Sequence, residues 1–377
     1  MKAWPTVPLA QVLQHRKEFI TIDDTQRYKR CRVQLHAQGV LLRDVVSGAD
    51  IKTKKQQVCC AGNFLVAEID AKVGGFGLVP DVLDGAIVSS HYFLFEIDET
   101  QLNKRYLDHY CRTERFRNQV EAQGTTNYAA IRPADVLTYT ILLPSLAEQQ
   151  SLVARLDALG EKTRQLAAHL DAAERDADQT VLALHHQLAN GREVALAEVL
   201  ELHEESVSIV LGENYPQVGI RSFGVGLFAK AAVAAHETTY RAFNRLYVDA
   251  VVLSQVKGWE GAIALTPPEL TGMFASPEYR TFRCLPGQAV PQYIGEIIKT
   301  PWFWSLLQDA TRGVGARRER TRPEQFLNVR LPMPTFKQQQ SAVEIFARLA
   351  ALKIKHAAIR QANAALLPAM LERVFAQ

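Results

Sequence analysis

Residues able to meet a polyanion gather in a few short stretches of this 377-residue chain. Lys72, Gly74, Gly75 and Phe76 fall in the run Lys-Val-Gly-Gly-Phe-Gly. Glycines let backbone come close to a phosphate, and the lysine and ring add charge and a stacking face. A tight turn with Phe76 in the core is the structural alternative. Lys257 and Trp259, in Lys-Gly-Trp-Glu-Gly, offer the same ingredients. Farther along, Arg312, Arg317, Arg318 and Arg320 crowd around Gly313 and Gly315. Guanidinium groups bind guanine O6 and N7 in pairs, or phosphates, and such a cluster is too costly to bury unpaired. Thr125, Thr126, Asn127 and Tyr128 form a neutral stretch whose hydroxyls and amide can hydrogen-bond to base edges or phosphates. Lys104, Arg105, Arg112, Arg115 and Arg117 make a basic run in which Arg112 and Arg115 share a helix face. A solvated helix would give the same pattern. Lys52, Lys54 and Lys55 are a weaker version of it.

Catalytic chemistry is thin. Asp50 with Asp70-Ala71-Lys72 mimics the carboxylate and lysine arrangement of a metal-dependent nuclease. No phosphate loop of the GxxxxGK[ST] type is present. The five cysteines lack CxxC spacing, so neither a disulfide framework nor a zinc site is expected. His185 and His186 are expected as surface polar residues rather than metal ligands. The reading is a chain without catalytic or metal-binding residues or a cofactor of its own, kept in the cytoplasm, since no transmembrane run or signal-peptide pattern is found.

The elements that must carry these residues come in two copies. At an offset of 187, Val7, Leu9, Ala10, Val12 and Leu13 meet Val194, Leu196, Ala197, Val199 and Leu200. Gly74, Leu78, Pro80, Leu83 and Gly85 meet Gly261, Leu265, Pro267, Leu270 and Gly272 at the same offset. The offset becomes 190 where Arg132, Pro133, Pro144, Gln149 and Gln150 meet Arg322, Pro323, Pro334, Gln339 and Gln340. An ordered series at one spacing is a duplication. Asp70 aligns with Lys257 and Lys72 with Trp259, which argues against the nuclease reading. Residues 14–60 and 201–248 share almost nothing, as expected of one scaffold carrying two different binding surfaces.

Each copy divides into a globule of short strands and a long helix. The expected boundaries are globules at 1–144 and 191–334, with helices at 145–190 and 335–377. Leu152 or Val153, Leu156, Leu159, Leu166, Leu170, Ala173, Ala177, Val181, Leu184 and Leu188 recur at seam spacing in the first helix. Ile345, Leu349, Leu352, His356, Ile359, Asn363, Leu366 and Met370 do so in the second, where Pro368 should kink or end the helix. Residues 145–190 hold four Lys and Arg against seven Asp and Glu, and residues 335–377 hold six against two. Opposite charge favours pairing of these helices with each other, antiparallel, as a coiled coil. The expected fold is α+β: two similar globules separated by two long antiparallel helices, with a pseudo-twofold internal repeat. Such a geometry suits two half-sites on a duplex.

Several segments also resemble the specificity subunits of type I restriction–modification systems, over the whole chain. They include ILLPSLAEQQSLVARLDAL (141–159), its repeat LPMPTFKQQQSAVEIFARLAAL (331–352), and IDAKVGGFGLVP followed by DGAIVSSHYFLFEID (69–98). GVGARRERTRPEQFLNVRLP (313–332) and LLPAMLERVF (366–375) complete the set. Ser145 and Lys337 depart from the family pattern, which has proline and an acidic residue there. The resemblance implies two target-recognition globules reading the halves of a bipartite double-stranded DNA site. It implies helices that set the spacer and dock two methyltransferase (modification) subunits, with restriction (motor–nuclease) subunits joining that core. S-adenosylmethionine, ATP and Mg²⁺ would belong to those partners. A coiled-coil scaffold binding proteins is the other non-enzymatic reading.

Overall fold

The computed structural model describes residues 4–120, 130–311 and 320–376. Thr125, Thr126, Asn127, Tyr128, Arg312, Arg317 and Arg318 lie outside them. The chain is α+β and separates into two compact units, one of residues 1–168 with 359–377 and one of 169–358.

The first unit holds a four-stranded antiparallel sheet in the order Leu13–Arg16, Tyr92–Ile97, Phe64–Ala67, Phe76–Leu78. Short helices α1 (Lys104–Tyr110), α2 (Glu114–Arg117) and α3 (Pro133–Thr138) pack beside it. Phe64, Phe76, Phe95, Tyr106, Tyr110 and Phe116 fill the space between, none more than 2% exposed. The long helix α4 spans Leu146–Ala189. The second unit repeats the plan with Leu200–Leu202, Tyr279–Cys284, Val251–Ser254 and Ile263–Leu265. Its helices are α5 (Pro291–Ile297), α6 (Pro301–Thr311) and α7 (Pro323–Leu327), and the second long helix, α8, spans Phe336–Phe375.

The segments that share almost no sequence nevertheless share a backbone. Phe19 pairs with Gln57 in the first unit, and Ser206 with Asn244, each 187 residues on, in the second. Gln57 opposite Val88 becomes Asn244 opposite Ala275, and the parallel bridge of Arg30 with Ile87 becomes Gln217 with Phe274. A hairpin pairs Val33 with Val40 in one copy and Ile220 with Leu227 in the other. The divergence is therefore one of side chains on a common ladder. What differs is continuity. The first copy has one long hairpin, Arg27–Val33 with Val40–Ser47, whereas the second is split into 214–215 with 233–234 and 218–221 with 226–229. Pro216, where the first copy has Lys29, has no N–H to give to the ladder and accounts for the break.

In both units the long helices pack antiparallel. In the first, Asn363 Nδ2 donates to Thr163 O at 2.8 Å, and a Cβ at Gly160 would lie 3.7 Å from Leu367 Cδ2. In the second, Lys353 pairs with Asp178. Each core is completed by the start of one long helix and the end of the other. Leu156 joins Leu371 and Phe375 in the first core, and Phe346 joins Val181 in the second. Of the two outcomes expected at Pro368, the helix does not end there and runs on to Phe375. Leu371 and Phe375 beyond it are 3% and 1% exposed, and burying them holds the last turns in register against the loss of one backbone bond. The seam also differs from the expected stripe. Asn363 is buried as expected, but Gln339, Ala342 and Phe346 are buried from outside that stripe, while Ile345, Leu352, Ile359 and Leu366 within it are 41–50% exposed at spacings of seven.

Candidate nucleic-acid interface

Three segments converge in each unit. The first is the turn that follows the third strand, Asp70–Gly74 and its equivalent Lys257–Gly261, ending on a left-handed glycine (Gly74 φ 78°, Gly261 φ 82°). The second is the hairpin tip. His36 N–H donates to Val73 O at 2.7 Å and Ala37 N–H to Gly74 O at 2.8 Å. In the second copy Phe223 N–H donates to Glu260 O at 2.8 Å and Gly224 N–H to Gly261 O at 3.2 Å, every partner displaced by 187. The third is the chain just past residues 121–129 and 312–319. Ile131 N–H reaches Glu68 O at 3.0 Å, and Thr321 N–H reaches Gln255 O at 2.8 Å.

The expected contact residues sit in this frame as follows. Lys72 and Lys257 are exposed on the two turns, and Lys257 lies 3.4 Å from Glu260. Gly74 is buried under the hairpin tip, where a Cβ would stand 2.6 Å from Ala37 N, and Gly75 is buried against Asp70. The close approach those glycines permit is thus to their own chain. Phe76 is 2% exposed and meets Phe116 edge-on at 5.4 Å, the core position named as its alternative. Trp259 is half-buried against the second core. Arg320 is exposed and pairs with Glu278 at 3.1 Å.

Arg112 and Arg115 lie elsewhere. Arg112 binds the buried Asp108 at 2.7 Å, which Arg105 also binds at 2.9 Å. Arg115 reaches Phe375 O at 3.5 Å and so ties α2 to the end of α8, whereas the Arg112 bond stays within the end of α1. Asp50 sits in a different turn from Asp70 and Lys72, and among the described residues no three His, Cys, Asp or Glu side chains group to hold a metal.

Sequence reasoning missed the hairpin tips. The signal was faint but present: Glu18, Ile22, Tyr28, Gly39 and Val46 equal Glu205, Ile209, Tyr215, Gly226 and Val233 at the same offset. The tyrosines even act alike, the Tyr28 hydroxyl accepting from Asp23 N–H at 3.0 Å and that of Tyr215 from Val210 N–H at 2.8 Å. Sequence reasoning also missed a cleft of mixed charge in the first unit, where Asp44 pairs with both Arg30 and Arg43 and Asp50 joins the lining. Arg43 is the extra residue of a β-bulge, standing between Asp44 opposite Arg30 and Leu42 opposite Cys31. With Arg30, Lys52 and Gln56 it lines an open space of about 390 Å³. His185, expected at the surface, is fully buried. Its Nδ1 lies 2.6 Å from the Tyr293 hydroxyl, and burial, with His186 beside it, lowers its pKa to about 4.

The proline–glutamine motif at the start of each long helix has a clear physical role. Gln149 is fully buried, accepts from Asn103 N–H at 2.8 Å, and donates to Gln101 O and Pro144 O, both at 2.9 Å. Gln339 repeats this with Val290 N–H, Gln288 O and Pro334 O. Ser145, where the resembling family has proline, caps α4 by exchanging bonds with Glu148, as Thr335 does with Gln338 on α8.

No family model matches the sequence, and no curated protein matches it. Solved structures do match in fold. The HsdS subunit from Thermoanaerobacter tengcongensis superposes with a TM-score of 0.57 at 18% identity, covering 99% of this chain and 96% of that one. A chain from a structure of the complex assembly and conformational transition of the type I R-M system gives 0.65 at 19%, covering 99% and 97%. This chain has the HsdS fold. The family resemblance read from the motifs and the fold of the whole HsdS-like chain therefore agree. Among the described residues no helix is long and apolar enough to cross a membrane.

Proposed function

We propose that this HsdS-like chain is the DNA-specificity subunit of a type I restriction–modification complex, with each unit reading one half of an asymmetric bipartite site on double-stranded DNA. One observation carries the reading. The same strand pairings and the same turn-to-tip hydrogen bonds occur twice at one offset, while the side chains on the converging turn and tip differ. Two copies of a scaffold with two surfaces recognise two unlike half-sites. The residues offered to DNA are Lys72, Lys257 and Arg320 among those described, with Thr125, Thr126, Asn127, Tyr128, Arg312, Arg317 and Arg318 in the adjoining stretches of sequence.

The long helices set the spacer, and the buried glutamines make each helix–globule joint stiff. Ile345 and Leu352 on the second unit, and Ile359 and Leu366 on the first, are apolar, exposed and spaced by sevens, the pattern of a helix awaiting partner helices. We assign them to the docking of two modification (methyltransferase) subunits, to which restriction subunits would add. The chain performs recognition and no chemical step, so S-adenosylmethionine, ATP and Mg²⁺ are bound by the partners.

Single-molecule sequencing of host DNA, with and without the gene, tests this. The expected result is a bipartite asymmetric motif of methylated adenines that disappears when the gene is removed. No gene-dependent motif in a host with active modification subunits refutes it.

A further inference from the structure

We propose that the two docked hairpin tips are the base-contacting elements of the units, and that His36 and Phe223, at equivalent positions, are the side chains that meet the base pairs. This rests on the DNA-recognition reading above and adds the residues that carry it.

Both residues have left-handed backbone, His36 at φ 59° with Ala37 beside it at 54°, and Phe223 at φ 60°, a conformation that costs any side chain and is a clear outlier for a ring as bulky as phenylalanine's. Glycine would be at ease there, and glycine occupies the next position of the second tip, Gly224. Instead, each copy holds a ring on the strained residue. Neither ring is buried, although the edge of Phe223 meets Trp304 at 6.3 Å. Phe223 is 71% exposed with Val225 beside it at 65%, and His36 is exposed. Strain kept at an exposed ring marks a constraint other than folding.

The tips are also held rigidly. Two backbone hydrogen bonds clamp each to its turn; Gly74 leaves room for the first tip to pack closely, and Gly261 leaves room for the Trp304 ring beside the second. A ring presented in one orientation loses little entropy on contact. The flanks carry more basic than acidic groups: Arg32 and Lys72 are exposed near the first tip against Asp70, and Arg221 and Lys257 near the second against Glu260, which pairs with Lys257. That charge favours a nucleic acid over an apolar protein surface. The two rings then imply different readouts. The imidazole of His36 hydrogen-bonds to a base edge, whereas the phenyl ring of Phe223 stacks on a base or wedges into a base step.

The test places His36→Gly, Phe223→Gly and Phe223→Ala in the full chain, in a host carrying the modification partners, and reads methylated adenines by single-molecule sequencing. Melting temperature is measured on each purified chain. Phe223→Gly should lower methylation about tenfold or more, or relax the motif, in one half-site only, given the worth of one stacked base. His36→Gly should affect the other half. Neither glycine variant should melt below wild type, because glycine relieves the strained backbone. Phe223→Ala should show the same loss of readout while keeping the strain. An unchanged motif in all three variants, with the wild-type motif still gene-dependent, overturns the inference and leaves the proposed function standing. Loss of the motif together with a collapse in melting temperature makes the tips structural and also overturns it. Absence of any motif with the wild-type chain defeats the DNA reading, and this inference with it.

Discussion

Replacing Gln149 with leucine removes a side chain of similar size whose amide satisfies three backbone groups at the root of α4. Asn103 N–H, Gln101 C=O and Pro144 C=O would be left without their present partner in a site that Gln149 fills at 0% exposure. An unsatisfied buried polar group costs about 1–3 kcal/mol, so three of them set a loss of about 3 kcal/mol as the lower end. A domain of this size loses roughly 2–4 °C of melting temperature per kcal/mol, which gives about 6–12 °C. Gln150, the next residue, is exposed, and Gln150→Leu supplies the control with the same change of chemistry. Calorimetry on the full chain should show the transition of the first unit moving down for Gln149→Leu and staying in place for Gln150→Leu. Gln339→Leu should move the other transition, because its bonds to Val290, Gln288 and Pro334 lie in the second unit. Equal, small shifts for Gln149→Leu and Gln150→Leu would refute the idea that the motif exists to fix the helix to its globule.

Three further outcomes follow from particular contacts. His185 has a folded pKa of about 4 against an ordinary value of 6.5, lowered by burial first and His186 second. Stability from the neutral ring is therefore complete above about pH 6.5 and is lost as pH falls toward 4, by about 3 kcal/mol at 1.36 kcal/mol per unit. Urea titrations across that window should show the loss in wild type and a flatter profile in His185→Gln. Gly160→Ala should stabilise the chain by about 1 kcal/mol through helix propensity, since the new methyl meets only Leu367 at ordinary contact distance, 3.7 Å. A lowered melting temperature would contradict that packing. Leu352→Glu, at a 41% exposed position, should leave melting within about 0.5 kcal/mol of wild type yet abolish co-purification of the modification subunit. Undiminished co-purification would remove this residue from the docking stripe.

The duplication, the strands around Phe95 and Phe282, and both long helices were legible from spacing alone, because glycine, proline and core residues obey local rules that survive divergence. The seam was legible only in part. Ile345, Leu352, Ile359 and Leu366 have the right spacing for a coiled coil, but spacing cannot say which of two apolar stripes faces the partner helix and which faces outward. His185 read as a surface residue because one helix shows its neighbours in sequence, whereas Tyr293, 108 residues away, is what buries it. Arg115 looked free because the carbonyl of Phe375 is brought to it only by folding, whereas Asp108, one helical turn before Arg112, is a local partner that the sequence itself displays. The hairpin tips escaped notice for a related reason. A β-ladder is held by backbone, so strands can keep register while nearly every side chain changes, and identity fades where structure does not. Composition and periodicity thus determined that this chain is one scaffold used twice with two long helices. Which side chains that scaffold buries, pairs or presents was decided by contacts between residues far apart in the chain, and those exist only in the folded molecule.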